Sequence, residues 1–469
     1  MKKACSSIGR IVIGALRGGA GKTFVTVGLT AALRKRGLSL AVFKKGPDYI
    51  DAGWLGLAAG GECHNLDAYL FDRETVCASF VHQSADRDIA IVEGNRGIFD
   101  GVDSSGSYST AELAKLLKAP VILLVDVTKM TRTAAALVEG CRSLDPELEI
   151  KGVILNRVGG TRHEQVVRAA IEDATSIPVI GSVRKMGLEH FPQRHLGLLP
   201  WHEHPEALGF IQDAAAIAEQ SIDLEQVLRI ARDSNHVVYA DRSEVFTAPL
   251  RQCSPTPVIG VLQDSAFQFY YPENLEALRR QGAEIQLISA LESREFPQVD
   301  ALYIGGGFPE THAQSLADNV TFRTAVLEAA RNGLPIYAEC GGLMYLSRSL
   351  AIDEQVFPMA GVLPVDTVLQ KTPQGHGYIR AEVSGPNPFY PAGALLTGHE
   401  FHYSCVTNID EAQVACAFKV LRGQGIDGAR DGLCRWNTLA TYVHIHALGE
   451  PLWAQGMIQR ALEYRQQRQ

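Results

Sequence analysis

The 469-residue sequence has no long hydrophobic run, no closely spaced cysteines and no excess of positive charge. No window approaches the roughly 18–20 apolar residues that a helix needs to cross a bilayer, so a membrane protein is not expected. The nine cysteines are odd in number and form no C-x-x-C pair. This argues against a disulfide framework or a zinc knuckle and favours a cytoplasmic protein. The formal net charge of −8 argues against a nucleic-acid-binding surface.

The composition is that of a globular protein, with 46% hydrophobic and 20% charged residues, and the length predicts two or three domains. Apolar runs such as "RIVIGA", "DIAIVEG" and "APVILLVDV" alternate with helical stretches, as in a parallel sheet buried on both faces. The first run is interpreted as a strand rather than a signal peptide. We expect a doubly wound α/β domain over 1–240, a polar, proline-containing linker over 241–256, and a second α/β domain over 257–469.

A phosphate-binding loop is predicted in "GALRGGAGKTF", where a strand is followed by a glycine-rich turn and then by a helix. Small residues let backbone N–H groups approach phosphate oxygens, and the lysine and threonine serve the β/γ-phosphates and Mg²⁺. The first glycine of the usual G-x-x-x-x-G-K-[ST] pattern falls at Leu16, so the turn is a variant. A turn that binds nothing is the alternative. The predicted nucleotide-binding residues are Gly18, Gly19, Gly21, Lys22 and Thr23.

Polar side chains follow several of the predicted strands. Asp48 and Glu93 are candidates to complete a Mg²⁺ shell with Thr23, because carboxyl ends of neighbouring parallel strands meet at one edge of a sheet. A helix cap or a solvated turn is the alternative for either acid. Asp100, between glycines, is a further magnesium or substrate candidate or a turn former. Asn156 is a candidate contact for an adenine edge, although a local turn bond explains it nearly as well.

A reactive thiol is predicted in "LPIYAECGGLMYL", where Cys340 lies between a strand and a helix and is followed by two glycines. Such a turn exposes a nucleophile, and a helix N-terminus lowers a thiol pKa. A buried structural cysteine is the alternative. Gly305, Gly306 and Gly307 are candidate oxyanion donors, and His444 and His446, predicted on one face of a strand, are a candidate base and its orienting neighbour. Metal binding by these histidines, or by the pairs His399/His402 and His202/His204, is disfavoured because no accompanying zinc-type pattern is present.

Taken together, these motifs resemble one known family, the cobyrinate (or hydrogenobyrinate) a,c-diamide synthases, which are glutamine-dependent amidotransferases. The stretches "FKKGPDYIDAGWL", "VEGNRGIFDG", "RHLGLLP", "YIGGGFPE", "YAECGGLMYL", "GHEFHYS" and "TYVHIHA" occur in family order over nearly the whole chain. The first half also looks like dethiobiotin synthetase, a P-loop NTPase. The second half looks like a class I glutamine amidotransferase.

The resemblance implies that ATP, with Mg²⁺, phosphorylates a substrate carboxylate and that ammonia from glutamine then forms an amide. It implies roles around magnesium and the acyl phosphate for Asp48, Glu93 and Asp100. In the second half Cys340 matches the nucleophile, with Gly306, Gly307 and Gly341 around the oxyanion, and His444 matches the base. His446 stands where many class I glutaminases carry a glutamate, which suggests low basal glutaminase activity. The resemblance also suggests a homodimer.

The acceptor implied by the resemblance is a polycarboxylate tetrapyrrole, amidated at its a and c acetate groups. Arg96 and Tyr49 are the predicted substrate contacts, since a guanidinium forms a fork for a carboxylate; Lys44, Lys45 and Arg73 are further candidates or plain surface charges. Siroheme or nickel-sirohydrochlorin is the alternative acceptor, because "EGNRGI" departs from the "EGVMGL" of corrinoid enzymes. A partitioning-type ATPase or a non-catalytic binding protein is the alternative class, disfavoured by the predicted thiol site.

Overall fold

In the computed structural model the chain forms two compact units, residues 1–248 and 249–469. The structure describes residues 3–185, 193–194, 197–204, 206–234, 236–240, 244–247 and 253–468. Much of the predicted linker at 241–256, and part of the "RHLGLLP" motif, lie outside the described residues. Within the described ranges, no helix is both long and apolar enough for a membrane span.

The first unit is organised around a seven-stranded sheet in which every pairing is parallel. Its order is β4-β3-β5-β2-β6-β7-β8, so the chain starts near the middle and winds outward in both directions. The strands of the unit are β1 (Lys3–Ser6), β2 (Gly9–Ala15), β3 (Leu40–Lys45), β4 (Cys63–Leu66), β5 (Ile89–Glu93), β6 (Val121–Asp126), β7 (Ile150–Val158), β8 (Val179–Arg184), β9 (Gln193–Arg194), β10 (Gly197–Leu198) and β11 (Val237–Ala240).

Helices connect these strands and bury the apolar surface of the sheet. They are α1 (Lys22–Lys35), α2 (Ile50–Ala59), α3 (Arg73–Gln83), α4 (Thr110–Leu116), α5 (Thr133–Leu144), α6 (Thr161–Thr175), α7 (Ala207–Ser221), α8 (Leu224–Arg232) and α9 (Glu244–Thr247). Strands β3, β5 and β6 are buried at every position, which explains their unbroken apolar runs. The predicted doubly wound α/β fold is confirmed. Ligands of such folds bind where the strand order reverses, at the carboxyl ends of the strands.

The second unit contains a ten-stranded mixed sheet of order β13-β12-β14-β15-β24-β23-β22-β19-β20-β25 and a four-stranded sheet of order β17-β16-β18-β21. The first five strands of the large sheet pair in parallel. The strands are β12 (Val258–Leu262), β13 (Glu284–Ile288), β14 (Ala301–Ile304), β15 (Ile336–Glu339), β16 (Ser349–Ile352), β17 (Gln355–Pro358), β18 (Asp366–Leu369), β19 (Gly375–Val383), β20 (Leu395–His402), β21 (Ser404–Thr407), β22 (Ala415–Arg422), β23 (Arg430–Arg435), β24 (Thr438–Thr441) and β25 (His444–Ile445).

Helices of the second unit lie between and after these strands. They are α10 (Pro272–Arg280), α11 (Ala313–Asp318), α12 (Val320–Arg331), α13 (Gly341–Leu346) and α14 (Pro451–Arg468). Apolar residues form two core clusters, and the residues of β12 and β14 alternate between them. Cys340 directly follows β15, and the glycine run 305–307 directly follows β14. The predicted thiol site therefore lies at the carboxyl ends of two adjacent parallel strands.

Candidate active sites

The phosphate loop of the first unit joins β2 to α1. Gly21 has φ 90°, and a β-carbon built on it would lie 2.5 Å from Nδ2 of Asn156, so only glycine fits there. Lys22 Nζ donates hydrogen bonds to the carbonyl oxygens of Arg96, at 2.6 Å, and Arg17, at 3.3 Å. The loop thus holds its lysine by main-chain acceptors, and no carboxylate of the described residues forms an ion pair with it. Burial, reinforced by the nearby Lys44 ammonium, lowers the pKa of Lys22 to about 8.

Behind the loop is a buried network of one lysine, two carboxylates and a hydroxyl. Lys44 Nζ donates to Glu93 Oε1 and to Asp51 Oδ2, both at 2.6 Å, and Thr23 Oγ1 donates to Glu93 Oε1 at 2.9 Å. Burial alone would lower the pKa of Lys44, but the two carboxylates raise it instead. Burial raises the pKa of Glu93, against the attraction of Lys44. Asp51 is not among the predicted residues, although it follows Asp48 in the same "PDYID" stretch.

Two of the predicted acids make local bonds in the structure. Asp48 Oδ1 accepts from the backbone N–H of Asp51 at 2.9 Å at the start of α2, and burial together with Asp51 raises the pKa of Asp48 to about 7. Asp100 Oδ2 accepts from the Gly97 N–H at 2.8 Å. Asp100 therefore closes a turn, the alternative that its sequence left open, and it also lies close enough to Lys22 to raise the pKa of that lysine.

Oxygen atoms beside Thr23 form a partial coordination site for Mg²⁺. Glu93 Oε2 is buried and, among the described residues, has no hydrogen-bond partner, so one carboxylate oxygen beside the Thr23 hydroxyl is available to a cation. Across the ranges that the structure describes, no three His, Cys, Asp or Glu side chains form a metal cluster. Mg²⁺ in nucleotide sites is commonly held by one or two protein oxygens together with phosphates and waters. Thr23 and Glu93 fit that arrangement, whereas the predicted third ligand, Asp48, is bonded to the backbone of α2.

A second polar brace supports the loop from β6 and β7. Asn156 Nδ2 donates to the Ala20 carbonyl at 2.8 Å, and its Oδ1 accepts from the next backbone N–H, which is the local bond foreseen as the alternative. Its contact with an adenine edge stays a prediction. Asp126 Oδ2 accepts from both Arg17 and Arg157 at 2.7 Å. Arg157 also donates to the Gly19 carbonyl at 2.9 Å.

Tyr49 and Arg96, the predicted substrate contacts, flank this site. Tyr49 is half-buried at the start of α2. Arg96 is exposed and has φ 49°, and its carbonyl is the one that holds Lys22. The structure thus brings Arg96 next to the predicted phosphate position.

In the second unit, Cys340 lies on a sharp turn between β15 and α13. Its backbone has φ 46° and ψ −97°, a conformation that non-glycine residues rarely adopt and that accompanies nucleophiles on strand-to-helix turns. The side chain is only 6% exposed, and its Sγ lies 3.8 Å from the Phe401 carbonyl oxygen. Burial, together with Glu310, raises the pKa of Cys340 against the Gly341 N–H. The expectation of a lowered thiol pKa is therefore wrong for this state, because desolvation outweighs the backbone donor.

The predicted oxyanion glycines lie around the thiol. A β-carbon on Gly307 would come 2.1 Å from the Ala266 carbonyl oxygen, and one on Gly341 would come 3.1 Å from the Gly307 nitrogen. The Gly307 amide therefore lies beside the residue that follows Cys340. A β-carbon on Gly306 would come 2.5 Å from Cε1 of His444. Close approach of the backbone therefore requires glycine at 307, and the His444 ring leaves little room for a side chain at 306.

His444, the predicted base, has a carboxylate partner that its sequence pattern does not indicate. Its Nδ1 lies 3.3 Å from Glu339 Oε2, and Glu339 also accepts from the Tyr303 hydroxyl and from the Ile445 N–H at 3.3 Å. Glu339 is fully buried and directly precedes Cys340. The His444 ring also stacks on the ring of His399, with centroids 4.8 Å apart.

The orienting role of His446 stays a prediction, and the contacts of its side chain are to α10. Its Nε2 lies 3.5 Å from Glu273 Oε2, and its ring is 4.5 Å from the Tyr271 ring, so it pairs with residues at the start of α10. The strand ends at Ile445, and the chain turns at His446, whose carbonyl accepts from the N–H groups of Gly449 and Glu450. The carboxylate at Nδ1 of His444 is therefore that of Glu339.

The histidine pairs considered as metal ligands are bonded to protein groups. Tyr271 OH lies 3.4 Å from His399 Nδ1, and burial lowers the pKa of His399 well below its usual value. His402 Nδ1 donates to the Ser404 carbonyl at 2.8 Å, and its ring stacks on Tyr442. In the part of the chain that the structure describes, neither these histidines nor His202 and His204 belong to a metal cluster.

The two folds and their sites define the class: a nucleotide-binding P-loop domain joined to a glutamine amidotransferase domain. Residues 11–196 match the CobQ/CobB/MinD/ParA nucleotide binding domain, and residues 258–452 match the CobB/CobQ-like glutamine amidotransferase domain. The predicted P-loop and glutaminase-type domains are thereby confirmed.

Curated relatives narrow the class to one family. The chain is 42% identical to the cobyrinate a,c-diamide synthase of Magnetococcus marinus, over 95% of this chain and 96% of the relative. It is 38% identical to that of Archaeoglobus fulgidus, over 99% and 100%, and 41% identical to that of Dehalococcoides mccartyi strain 195, over 96% and 97%. The chain belongs to the cobyrinate a,c-diamide synthase family, as the sequence motifs predict.

Proposed function

We propose that this chain is an ATP- and glutamine-dependent ligase that converts the a and c acetate carboxylates of cobyrinic or hydrogenobyrinic acid into amides. The observation that carries the proposal is the presence, in one chain, of a phosphate loop backed by buried acids and of a strained cysteine accompanied by a His444–Glu339 pair. Neither site alone makes an amide from a carboxylate. The names of the curated relatives support the same acceptor.

The first unit activates the acceptor. A carboxylate is a poor electrophile, so its oxygen attacks the γ-phosphorus of ATP, the bond to the β-phosphate oxygen breaks, and an acyl phosphate and ADP result. Lys22 binds the phosphates and Arg96 orients the attacking carboxylate. The contact between Lys22 and the Arg96 carbonyl supports this arrangement, because it ties the phosphate-binding and carboxylate-binding groups together. Thr23 and Glu93 would hold Mg²⁺, which neutralises phosphate charge when bound.

The second unit supplies ammonia. The Cys340 sulfur attacks the amide carbon of glutamine, and His444 takes the thiol proton and passes it to the departing nitrogen. Glu339 fixes the His444 ring and stabilises its cationic form. The N–H groups of Gly307 and Gly341 face the developing oxyanion. Water then cleaves the thioester to glutamate, and the ammonia displaces phosphate from the acyl phosphate to leave the amide.

The resting thiol is expected to be weakly reactive. Its contact with the Phe401 carbonyl favours the protonated form, and burial raises its pKa. We therefore expect slow glutamine hydrolysis by the enzyme alone and a faster rate with ATP and acceptor. Equal rates under the two conditions contradict this expectation.

The proposal is tested by mass spectrometry of tetrapyrroles incubated with ATP, Mg²⁺ and glutamine. Cobyrinic acid should lose about one mass unit per amide formed. Cys340→Ser should make the same product from ammonia but not from glutamine. Siroheme and sirohydrochlorin are assayed in parallel. If either is amidated and cobyrinic acid is not, the proposed acceptor changes and the proposed reaction stands. ATP hydrolysis without amidation of any acceptor would overturn the proposal.

A further inference from the structure

Lys45, the last residue of β3, is a buried cation that the mechanism above does not use. It is only 8% exposed, and the carboxylates of Asp51 and Glu93 pair with its neighbour Lys44. Among the residues that the structure describes, the Lys45 ammonium has no hydrogen bond and no ion pair within 4 Å. Burying a charged group without such partners costs free energy, so an anionic ligand is the natural complement of this site.

The charges around Lys45 are mostly positive. Burial lowers its pKa; Asp67 opposes this shift, and Arg96 and Lys44 add to it. Asp67 follows β4 and accepts from the Tyr69 N–H at 2.8 Å. At the carboxyl edge of the sheet, Arg96 and Lys44 thus disfavour the Lys45 charge and Asp67 favours it. A carboxylate ligand entering this edge would gain charge-assisted hydrogen bonds and would offset the cationic excess.

The location of Lys45 links it to the reacting carboxylate. A β-carbon on Gly46, the residue after Lys45, would lie 3.1 Å from Nδ2 of Asn95, the residue before Arg96, and the Arg96 carbonyl lies 2.6 Å from Lys22 Nζ. An anion bound between Lys45 and Arg96 is thus adjacent to the lysine that the proposed mechanism assigns to the phosphates. Lys22 already serves the nucleotide, so the ligand suited to Lys45 is the other anion of the reaction.

We propose that Lys45, together with Arg96, binds a carboxylate side chain of the tetrapyrrole acceptor. This inference rests on the proposed function and deepens it by assigning a residue to acceptor recognition. Lys45 therefore contributes to the affinity for the acceptor and not to that for ATP or glutamine. Phosphate is the other anion present, and the experiment separates the two.

The test uses the full-length enzyme with ammonia as the nitrogen donor, so that the glutaminase site does not limit the rate. Lys45→Met keeps the apolar stem and removes the charge, and Lys45→Arg keeps the charge. Lys35→Met removes an exposed lysine at the end of α1 that is paired with Glu219 and serves as the matched control. KM for cobyrinic acid and for ATP, and kcat, are measured for each variant.

Lys45→Met should raise KM for cobyrinic acid about 10- to 100-fold, as expected for a lost hydrogen bond between charged groups. Its KM for ATP should change less than about twofold. Lys45→Arg should recover most of the affinity, and Lys35→Met should behave like the wild type. An unchanged acceptor KM in Lys45→Met overturns the inference. A rise confined to the KM for ATP also overturns it and assigns Lys45 to phosphate.

Thermal unfolding gives a second readout that does not depend on turnover. Removing an unpaired buried charge should not lower the Tm of Lys45→Met without acceptor, and cobyrinic acid should raise the Tm of the wild type more than that of the variant. Lys45→Gln serves if Lys45→Met does not fold. Equal acceptor-induced shifts count against the inference. If the wild type does not amidate cobyrinic acid, the proposed function is wrong. If the wild type amidates it and Lys45→Met has a normal KM, only the inference about Lys45 is wrong.

Discussion

Replacing Glu339 with glutamine should disable glutamine hydrolysis while leaving the amidation chemistry intact. The change keeps the shape of the side chain and removes its charge. In the structure Glu339 Oε2 faces His444 Nδ1 and the Tyr303 hydroxyl, and Oε1 faces the Ile445 N–H. A glutamine can offer an acceptor to only one of these two sides. Its NH₂ group either opposes the Ile445 N–H or donates to His444 Nδ1, which leaves the His444 proton on Nε2, the wrong tautomer for a base.

The expected magnitude follows from these contacts. A buried donor left without an acceptor costs about 1–3 kcal/mol, and the cationic His444 formed during thiol deprotonation loses its carboxylate. In hydrolases that use an acid–His pair, the equivalent isosteric change lowers kcat by about 10⁴. The contacts here are long, at 3.3 Å, so we expect a fall in glutaminase kcat of about 10²–10⁴, or about 3–5 kcal/mol at 1.36 kcal/mol per decade.

The assay compares glutamate release with ammonia-driven amidation in one preparation. Glu273→Gln is the matched control, because Glu273 is also a buried glutamate beside a histidine, 3.5 Å from His446. Glu339→Gln should lose glutaminase activity and keep ammonia-driven amidation within about twofold. Glu273→Gln should lose less than about tenfold of its glutaminase activity.

The opposite ranking would refute this reasoning. If Glu273→Gln abolished glutamine hydrolysis and Glu339→Gln did not, the orienting partner would belong to the His446 side, as the sequence pattern predicts. Loss of both activities in Glu339→Gln would indicate a folding defect, which a fall in Tm would reveal.

Three further outcomes follow from the site geometry. The pKa of Lys22 is about 8 without ligand, and bound phosphates favour its protonated form. The Kd for ATP should therefore rise above pH 8 by up to about tenfold per pH unit. Calorimetry measures this Kd, and a value that stays constant up to about pH 9.5 contradicts the prediction. Because the pKa of Cys340 is raised, its rate of alkylation by iodoacetamide should increase about tenfold per pH unit between about pH 7 and 9. Peptide mass spectrometry measures this rate. A rate that reaches a plateau near neutral pH argues against a protonated thiol. Gly307→Ala places a β-carbon 2.1 Å from the Ala266 carbonyl oxygen, so the free energy of unfolding should fall by about 1–3 kcal/mol. Amidation with glutamine should cease, while amidation with ammonia persists. Normal amidation with glutamine would exclude a strict need for glycine at this position.

Much of the fold is readable from the sequence because the parallel strands are buried on both faces. Runs such as Ile89–Glu93 and Val121–Asp126 are continuous and apolar for that reason. The antiparallel half of the ten-stranded sheet has no such continuous apolar runs. Its strand Gly375–Val383 alternates between buried and partly exposed residues and contains glycine and charge, a pattern too weak to separate from loops.

The site residues that sequence patterns miss depend on long-range pairing. Glu339 meets His444 across 105 residues of sequence, through the parallel register of β15 and β24, and within "YAECGG" it looks like part of a buried strand. Asp126 likewise acts on the phosphate loop from a strand end 109 residues beyond Arg17. Local patterns predict the candidate groups that lie on glycine-rich turns, Lys22 and Cys340, because glycine spacing is a local property.

The most direct test of the two-site account is the origin of the product nitrogen. Wild-type enzyme is given cobyrinic acid, ATP, Mg²⁺ and glutamine labelled with ¹⁵N in the side-chain amide. The mass of the diamide product is then measured by mass spectrometry. The account predicts ¹⁵N at each new amide in the wild type, and unlabelled amides in Cys340→Ser supplied with both labelled glutamine and unlabelled ammonia. Labelled product from Cys340→Ser, or unlabelled product from the wild type when glutamine is the only nitrogen source, would contradict it.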